Sequence, residues 1–365
     1  MKFIFSILIG IFLVLLLAPF SLVKAQEVFY KATVEEIVNE GNQTIEGVTY
    51  PFQTLKIKFL ENELNGKELT IDYGKTYTID KSQLVHNGDT VVIVKTTDVD
   101  NKPIYQISEP YRLDKLIPFI IIFFVAIILL SGLQGIGSIV GMIISLVVII
   151  KYIIPQILAQ QDPLLISITG CLIIMVTTIY LAHGFSRKTT IALVATFITL
   201  VLTGIIAIVV SNLTSLTGLG SDDAISLKLG PTANINFKGL MLGGILIGTL
   251  GVLDDVTTGL AASIFELHKV NPKLGFMNLL SSGLRIGREH VASLVNTLVL
   301  AYAGASLPIF ILIALNPNNY PLWSILNSEI IIEEVVRTLA GSMGLILAVP
   351  LTALLTSFYI SKSKS

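Results

Sequence analysis

From Leu116 to the C-terminus, the sequence is dominated by apolar stretches separated by short polar segments. A transmembrane helix needs about 20 predominantly apolar residues to cross a bilayer, and seven of these stretches are long enough. Because helices satisfy their own backbone hydrogen bonds in lipid, the pattern predicts an α-helical polytopic membrane bundle of about seven spans. The stretches cover residues 116–132, 135–156, 163–182, 189–211, 238–259, 291–313 and 337–358.

The composition agrees with a chain whose main surroundings are the lipid bilayer. Of its 365 residues, 53% are hydrophobic and 13% are charged, which is too apolar for a soluble protein of this length. Residues 26–113 contain 14 acidic against 9 basic side chains. The absence of a basic patch from this polar region argues against nucleic acid as a partner.

The N-terminus has the pattern of a secretory signal peptide. Lys2 precedes an apolar run over residues 3–20, and Val23 and Ala25 occupy the third-last and last positions before a cleavage site. Residues 1–25 are therefore predicted to be a signal peptide, with an uncleaved signal anchor as the alternative. In both cases the chain that follows is expected to be exported.

Residues 26–113 have the features of a small all-β domain, and five short strands suit an OB-like barrel. The segment Leu55–Leu60 alternates apolar and polar residues, as a half-buried strand does. A passive extracytoplasmic cap is the simplest role for this domain. The candidate strands are Val28–Val38, Gln53–Phe59, Glu68–Ile71, Asp89–Thr97 and Pro103–Ile107, with turn signals at Glu40-Gly-Asn, Asn65-Gly and Asn87-Gly-Asp.

The distribution of basic residues predicts the orientation in the membrane, because short cytoplasmic loops are enriched in Lys and Arg. Such residues fall between the third and fourth stretches, between the fifth and sixth, and after the seventh. The segment 211–237 instead contains Asp222 and Asp223. The β domain is therefore expected outside the cell membrane, and residues 114–365 are expected to form a transmembrane domain with a cytoplasmic C-terminus.

Two adjacent carboxylates, Asp254 and Asp255, lie in the fifth apolar stretch. At 1.5 Å per residue, Asp255 lies about 25 Å along this span, in the cytoplasmic third of the hydrocarbon core. An ionised carboxylate at this depth is costly unless it faces protein, water or a countercharge. Gly244, Gly248 and Gly251 share a helix face with Asp255, and glycines of this kind let another helix approach closely.

A structural joint explains the aspartate pair equally well. The helix would then end near Leu253, and Asp254 or Asp255 would cap a second, interfacial helix through Thr257 or Thr258. The two interpretations are compatible, because broken helices often form the ion sites of transporters. Both carboxylates are therefore candidate transport or buried polar residues.

A second polar cluster opens the sixth stretch. The positive-inside rule accounts for much of its basic character. Asn296 and Thr297 lie deeper in the membrane, where an amide needs a hydrogen-bond partner. Arg288 and Asp255 should lie at similar depth, so Asp255 is expected to meet Arg288 or Asn296. The candidates in this cluster are Arg285, Arg288, Glu289, Asn296 and Thr297.

No motif for catalysis or metal binding accompanies these residues. His183, His268 and His290 lack the spacing of a metal site, and the sequence contains no P-loop, GxSxG or HExxH motif. Adjacent Asp254 and Asp255 cannot by themselves supply acids on two facing helices, as an intramembrane aspartyl protease requires. No enzymatic activity, metal or cofactor is predicted.

The segments Leu253–Val256, Arg285–His290 and Asn296–Pro308 resemble the YibE/F-like family of bacterial multispanning membrane proteins. The resemblance is expected to cover nearly the whole chain after the signal, including the β-rich region, and it implies a cell-membrane protein. Similar members have one aspartate, at the position of Asp255, and an apolar residue at the position of Asp254. The resemblance therefore favours Asp255, but it implies no established substrate or reaction.

Three classes of function remain compatible with the sequence. A transporter or ion-coupled carrier of an unknown small solute or ion is favoured by the membrane carboxylate and the glycine-rich span. A scaffold or accessory protein, acting as a homo-oligomer or with a membrane partner, predicts a closed bundle in which Asp255 is fully paired. A membrane enzyme would need an acid on another span near Asp255. A water-accessible cavity that reaches Asp255 distinguishes the carrier.

Overall fold

The computed structural model describes residues 28–97, 103–230, 232–316 and 319–362. The chain forms two compact units, one ending at Ala126 and the other continuing from Ile127. The first unit contains an antiparallel β-sheet, and the second is helical. The predicted signal peptide, residues 1–25, lies outside the described residues.

The sheet has five antiparallel strands in the order β3-β2-β1-β4-β5. Its edge strands β3 and β5 approach each other, so the sheet curves into a half-barrel. Alternate residues point inward and form an apolar core, as the strand periodicity predicts. The all-β, OB-like prediction is confirmed. The strands are β1 Val28–Ile45, β2 Val48–Phe59, β3 Glu68–Tyr73, β4 Thr90–Thr97 and β5 Pro103–Pro110.

The first hairpin turns later than the sequence predicts, because the turn proposed at Glu40-Gly-Asn lies inside β1. The chain reverses at Glu46 and Gly47, which have φ values of 50° and 83°, and positive values at both positions suit a tight hairpin. Gly41 lies inside β1 and is not part of a turn. A Cβ atom there would lie 2.9 Å from the ring of Phe52 on the paired strand, so a glycine leaves room for the ring.

The helical unit supplies helices that can cross a membrane. Among the residues that the structure describes, five helices, α1, α2, α3, α5 and α9, are long and apolar enough, and the pair α6 and α7, bent by 62°, is a further candidate span. The bounds are α1 Leu113–Leu158, α2 Pro163–His183, α3 Arg187–Leu213, α4 Asp222–Leu229, α5 Phe237–Val270, α6 Phe276–Ala305, α7 Leu307–Leu315, α8 Leu322–Leu326 and α9 Glu329–Lys362.

The first two predicted spans are two segments of α1 that meet at a sharp bend. A Cβ atom at Gly135 would lie 2.8 Å from the backbone oxygen of Ile127, eight residues earlier in the chain, whereas eight residues of a straight helix rise about 12 Å. Residues 113–131 and 133–158 are about 29 Å and 39 Å long, so each segment can cross a hydrocarbon core of about 30 Å, and the candidate spans of the described residues then number seven. The helix is interrupted at Gly132, whose φ of 57° and ψ of -136° are not helical. Glycine adopts such a conformation at little cost, so the predicted boundary between the spans coincides with a kink.

Helices α3, α5 and α9 pack closely against one another at the centre of the helical unit. Small residues permit this approach, as in other membrane bundles. A Cβ atom at Gly344 of α9 would lie only 2.5 Å from Oγ1 of Thr203 on α3. Hydroxyls also join the helices, because Oγ1 of Thr196 and Oγ1 of Thr257 are 2.6 Å apart.

Two glycines of α1 allow this helix to approach α2 closely. A Cβ atom at Gly137 would lie 2.4 Å from the carbonyl oxygen of Leu181, and one at Gly141 would lie 3.5 Å from Cα of Thr178. The backbones of the two helices therefore meet near the C-terminal end of α2. This contact holds the polar face of α1 beside the end of α2 that carries His183.

Candidate functional site

The aspartate pair lies within an unbroken helix. Helix α5 continues from Phe237 to Val270, so the predicted end near Leu253 is wrong. Thr257 and Thr258 donate their hydroxyls to the backbone oxygen of Asp254, at 3.2 Å and 2.8 Å. These bonds are typical of threonines inside a helix. The alternative in which an aspartate caps a second helix at this point is therefore excluded.

Asp254 and Asp255 line a polar cavity, here called the crevice, between α1, α2 and α5. Its volume is about 380 Å³. A smaller cavity of about 70 Å³ shares Gln134 and His183 with it and extends to Lys188. The crevice therefore brings carboxylate, imidazole, amide and hydroxyl groups together inside a unit built from apolar helices. Its polar lining comprises Ser131, Gln134, Ser138, Ser145, Thr178, His183, Asp254 and Asp255.

The two carboxylates have different surroundings in the crevice. Asp255 and His183 are exposed to it, whereas Asp254 is half-buried. Oδ1 of Asp254 is inaccessible and has no hydrogen-bond partner among the described residues. A carboxylate that stays ionised in a membrane unit needs a countercharge or a donor. A proton or a bound cation would supply that compensation at this position.

The predicted contact between Asp255 and the sixth stretch is wrong. Arg288 and Asn296 are exposed on α6 and do not line the crevice. Within the described residues, Arg288 forms no ion pair. Asp255 instead faces α1 and α2, whose side chains form the other walls. The two residues therefore point in different directions around the bundle.

The glycine face of α5 is also open where a close helix contact is expected. A Cβ atom at Gly244 or Gly251 would meet no atom within 4 Å. At Gly248, the nearest such neighbour is the hydroxyl of Tyr302, at 3.7 Å. Apart from this side chain of α6, no described residue comes within 4 Å of a Cβ atom at the three positions. The glycines therefore leave an open surface beside Asp255 rather than a helix interface.

The remaining candidates lie together on α6, away from the crevice. All five are exposed. Of these, Thr297 donates its hydroxyl to the backbone oxygen of Ser293, at 3.0 Å. The structure therefore separates the predicted residues into two groups, one in the crevice and one on the outer face of α6. The α6 group is Arg285, Arg288, Glu289, Asn296 and Thr297.

The polar residues of α1 are absent from the sequence-based candidates. These residues are Ser131 and the polar residues three, seven and fourteen positions after it, Gln134, Ser138 and Ser145. Such offsets place side chains on one face of a helix. That signal is visible in the sequence, but only the tertiary structure shows that the face lies opposite the aspartates. His183 is noted in the sequence solely as a metal candidate, and the structure places it in the crevice.

The donor groups of the crevice do not form a metal cluster. Across residues 28–97, 103–230, 232–316 and 319–362, there is no group of three or more His, Cys, Asp or Glu side chains that could hold a metal ion. The arrangement of an imidazole and two carboxylates, with hydroxyls around them, is better suited to exchanging protons or holding a weakly bound cation with water.

Comparison with known proteins gives one match. Residues 119–362, more than half of the chain, match the family model described as YibE/F-like protein. The matched region begins inside α1, so it does not include the β domain, to which the resemblance was expected to extend. No curated protein and no solved structure matches the chain.

Proposed function

Because the chain belongs to the YibE/F-like family of membrane proteins, we propose that it is an ion-coupled carrier in which Asp255 binds the coupling ion. The ion is a proton or a monovalent cation, and the crevice is its site. The crevice itself is the observation that carries the proposal, because it opens a polar surface onto two carboxylates inside a membrane-spanning unit.

The electrostatics of the crevice support a carboxylate whose charge changes in use. Burial in an apolar unit disfavours the ionised form, and a neighbouring positive charge favours it. His183 shares the crevice with Asp255 and supplies an imidazole that can accept or donate a proton beside the carboxylate. A guanidinium would instead fix the carboxylate in its charged state, and none lines the crevice.

A purely structural role for Asp255 has less support. A scaffold needs a carboxylate that is paired and closed off from water. Asp255 is exposed, and Asp254 has an unpartnered buried oxygen. A charge that contributes to packing alone would be replaced at low cost by a neutral residue of the same shape. The carrier therefore remains the favoured class.

The same proposal includes an orientation. We propose that the β domain lies outside the cell membrane and that Lys362, at the end of α9, lies on the cytoplasmic side. The basic residues in the loops after α2 and α5 support this orientation. His183 and Asp255 then lie near the cytoplasmic side, so the crevice would exchange its ion with the cytoplasm.

Complementation of a deletion strain tests the role of Asp255, with protein amounts matched by blotting. Asp255→Asn should insert and fold but fail to restore the deletion phenotype, because a neutral amide cannot exchange charge. Asp255→Glu should keep partial activity, and Asp254→Asn should keep most of it. Full complementation by Asp255→Asn at equal abundance would show that the ion-coupled carrier is the wrong class and would favour the scaffold.

Thiol labelling tests whether water reaches the crevice in the membrane. In a Cys171→Ser background, Ser138→Cys should react with a small water-soluble maleimide in inside-out vesicles. Leu146→Cys provides a matched control, because Leu146 is exposed on the same helix but does not line the crevice. Equal protection of both positions would contradict a water-filled crevice.

A further inference from the structure

Helix α6 carries a polar stripe on the side that faces away from the bundle. This stripe, here called the α6 stripe, consists of Arg285 and the residues four, eight and eleven positions after it, Glu289, Ser293 and Asn296. Residues at these offsets share one face of a helix. All four are exposed. In the described part of the chain, no side chain of another helix forms a hydrogen bond or an ion pair with them.

The opposite face of α6 is fully used by packing. Gly283 and Gly287 are buried. A Cβ atom at Gly283 would lie 3.2 Å from Cβ of Ala353, and one at Gly287 would lie 2.2 Å from a methyl carbon of Val349. At 100° per residue, Arg285 lies about 160–200° from both glycines. The stripe therefore cannot turn inward without breaking the contact with α9.

The level of the α6 stripe relative to α9 predicts that its deeper part lies within the hydrocarbon core. Val349 is 13 residues before Lys362, so the level of Gly287 is about 20 Å from the end of α9. Asn296 is nine residues after Gly287, so it lies about 13 Å farther from the C-terminal end of α9. The direction is given by a cavity beyond it, which Tyr302 of α6 and Leu339 of α9 line together. Charged and amide groups at this depth cost several kcal/mol when they face lipid. Another surface must cover the stripe.

We propose that a second copy of this chain covers it, so that α6 forms the interface of a two-fold symmetric dimer. A two-fold axis along the membrane normal brings the same depth of both copies together, and an isologous interface must be complementary to itself. The α6 stripe meets that condition, because it carries one cation and one anion a helical turn apart. Arg285 of each copy would then face the partner's Glu289.

Asn296 strengthens this proposal. An asparagine amide both donates and accepts, so two copies of one asparagine can bond to each other across a symmetry axis, as they do in coiled coils. The dimer would thus compensate each charge and each amide of the stripe within protein. It would leave the crevice on the other side of α5 unobstructed, so the proposal does not depend on the carrier function.

Cysteine cross-linking in native membranes tests the interface. In a Cys171→Ser background, Asn296→Cys should form a disulfide-linked dimer after mild oxidation. Val201→Cys, on the exposed face of α3, should remain monomeric under the same conditions. Cross-linking of Val201→Cys alone, or a monomer for both variants, would overturn the proposal.

A charge exchange distinguishes a specific pair from mere proximity. Arg285→Glu and Glu289→Arg should each remove most of the dimer in lipid nanodiscs, because each places like charges opposite each other. The double variant Arg285→Glu with Glu289→Arg should restore it. Each variant is first checked for folding by the protection of Cys171, which is buried in the bundle. A folded double variant that stays monomeric, like the single variants, would refute the pairing.

Discussion

The contact of Gly344 with α3 leads to a prediction that separates packing glycines from open ones. We expect Gly344→Ala to destabilise the helical unit, although alanine is the better helix former. A Cβ atom at Gly344 would lie 2.5 Å from Oγ1 of Thr203, which is 0.9 Å short of the 3.4 Å where ordinary contact begins. The threonine cannot simply rotate away, because its hydroxyl is bonded to the backbone oxygen of Thr199 at 2.9 Å.

The magnitude follows from two opposing terms. Replacing glycine by alanine within a helix gains up to about 1 kcal/mol from backbone entropy. Overpacking a close contact costs about 1–3 kcal/mol, and a side chain pinned by a hydrogen bond favours the upper half of that range, so the net loss for Gly344→Ala should be up to about 2 kcal/mol. Gly244→Ala is the matched control, because a Cβ atom there would meet no atom within 4 Å. That variant should be neutral or slightly more stable.

The single cysteine makes the assay simple. Cys171 is fully buried, so a fluorogenic maleimide should react with it only as the helical unit unfolds on heating in detergent. At roughly 2–4 °C per kcal/mol for domains of this size, Gly344→Ala should lower Tm by several degrees. Adding Thr203→Ala should recover part of that loss, because it removes the clashing atom. Equal destabilisation by Gly244→Ala and Gly344→Ala would refute the reasoning.

Three further predictions concern other parts of the chain. Thr196→Val and Thr257→Val should show a coupling energy of about 0.6–1.7 kcal/mol in a double-mutant cycle, as expected for an interhelical hydrogen bond in a membrane protein; additive effects would contradict the contact between their hydroxyls. In a cysteine-free background, His86→Cys should be labelled by an impermeant maleimide on intact cells, and Lys362→Cys only after permeabilisation; the reverse pattern would invert the proposed orientation. The pKa of Asp89 is lowered by the hydrogen bond from the backbone amide of His86, so its stabilising contribution should be complete above the ordinary carboxyl pKa of about 4 and lost as pH falls through the lower folded value. Asp89→Asn should therefore reduce Tm near neutral pH and lose that effect in acid; a constant difference across this range would be inconsistent.

The sequence of one helix predicts some features of the position of Asp255 but not others. The depth of Asp255 follows from counting residues along α5, because each residue adds a fixed 1.5 Å. Its direction does not follow, because a rotation of the whole helix changes every neighbour without changing the sequence. In the structure, the aspartate faces α1 and α2 rather than Arg288 of α6.

The two kinds of glycine make the same point. Gly244, Gly248 and Gly251 have the spacing of a packing stripe, and yet the hydroxyl of Tyr302 is the one described group within 4 Å of a Cβ atom at these positions. A Cβ atom at Gly137 would lie 2.4 Å from an atom of a neighbouring helix, and one at Gly344 would lie 2.5 Å from such an atom. The spacing of glycines shows that one face of a helix carries small residues. Only the arrangement of the other helices shows whether that face is covered.

Local composition and periodicity are sufficient to predict several properties of this chain. These include the membrane class, the apolar stretches, the five strands of the β unit and the resemblance to the family. Apolar residues at a period of two or 3.6 produce strands and helices almost independently of their surroundings. Only the tertiary structure decided which helix faces meet, that the aspartates share a crevice with His183, and that the α6 stripe points outward. These features depend on contacts between side chains that are far apart in the chain. Because such contacts arise when all the helices pack together, the periodicity of a single helix does not predict them.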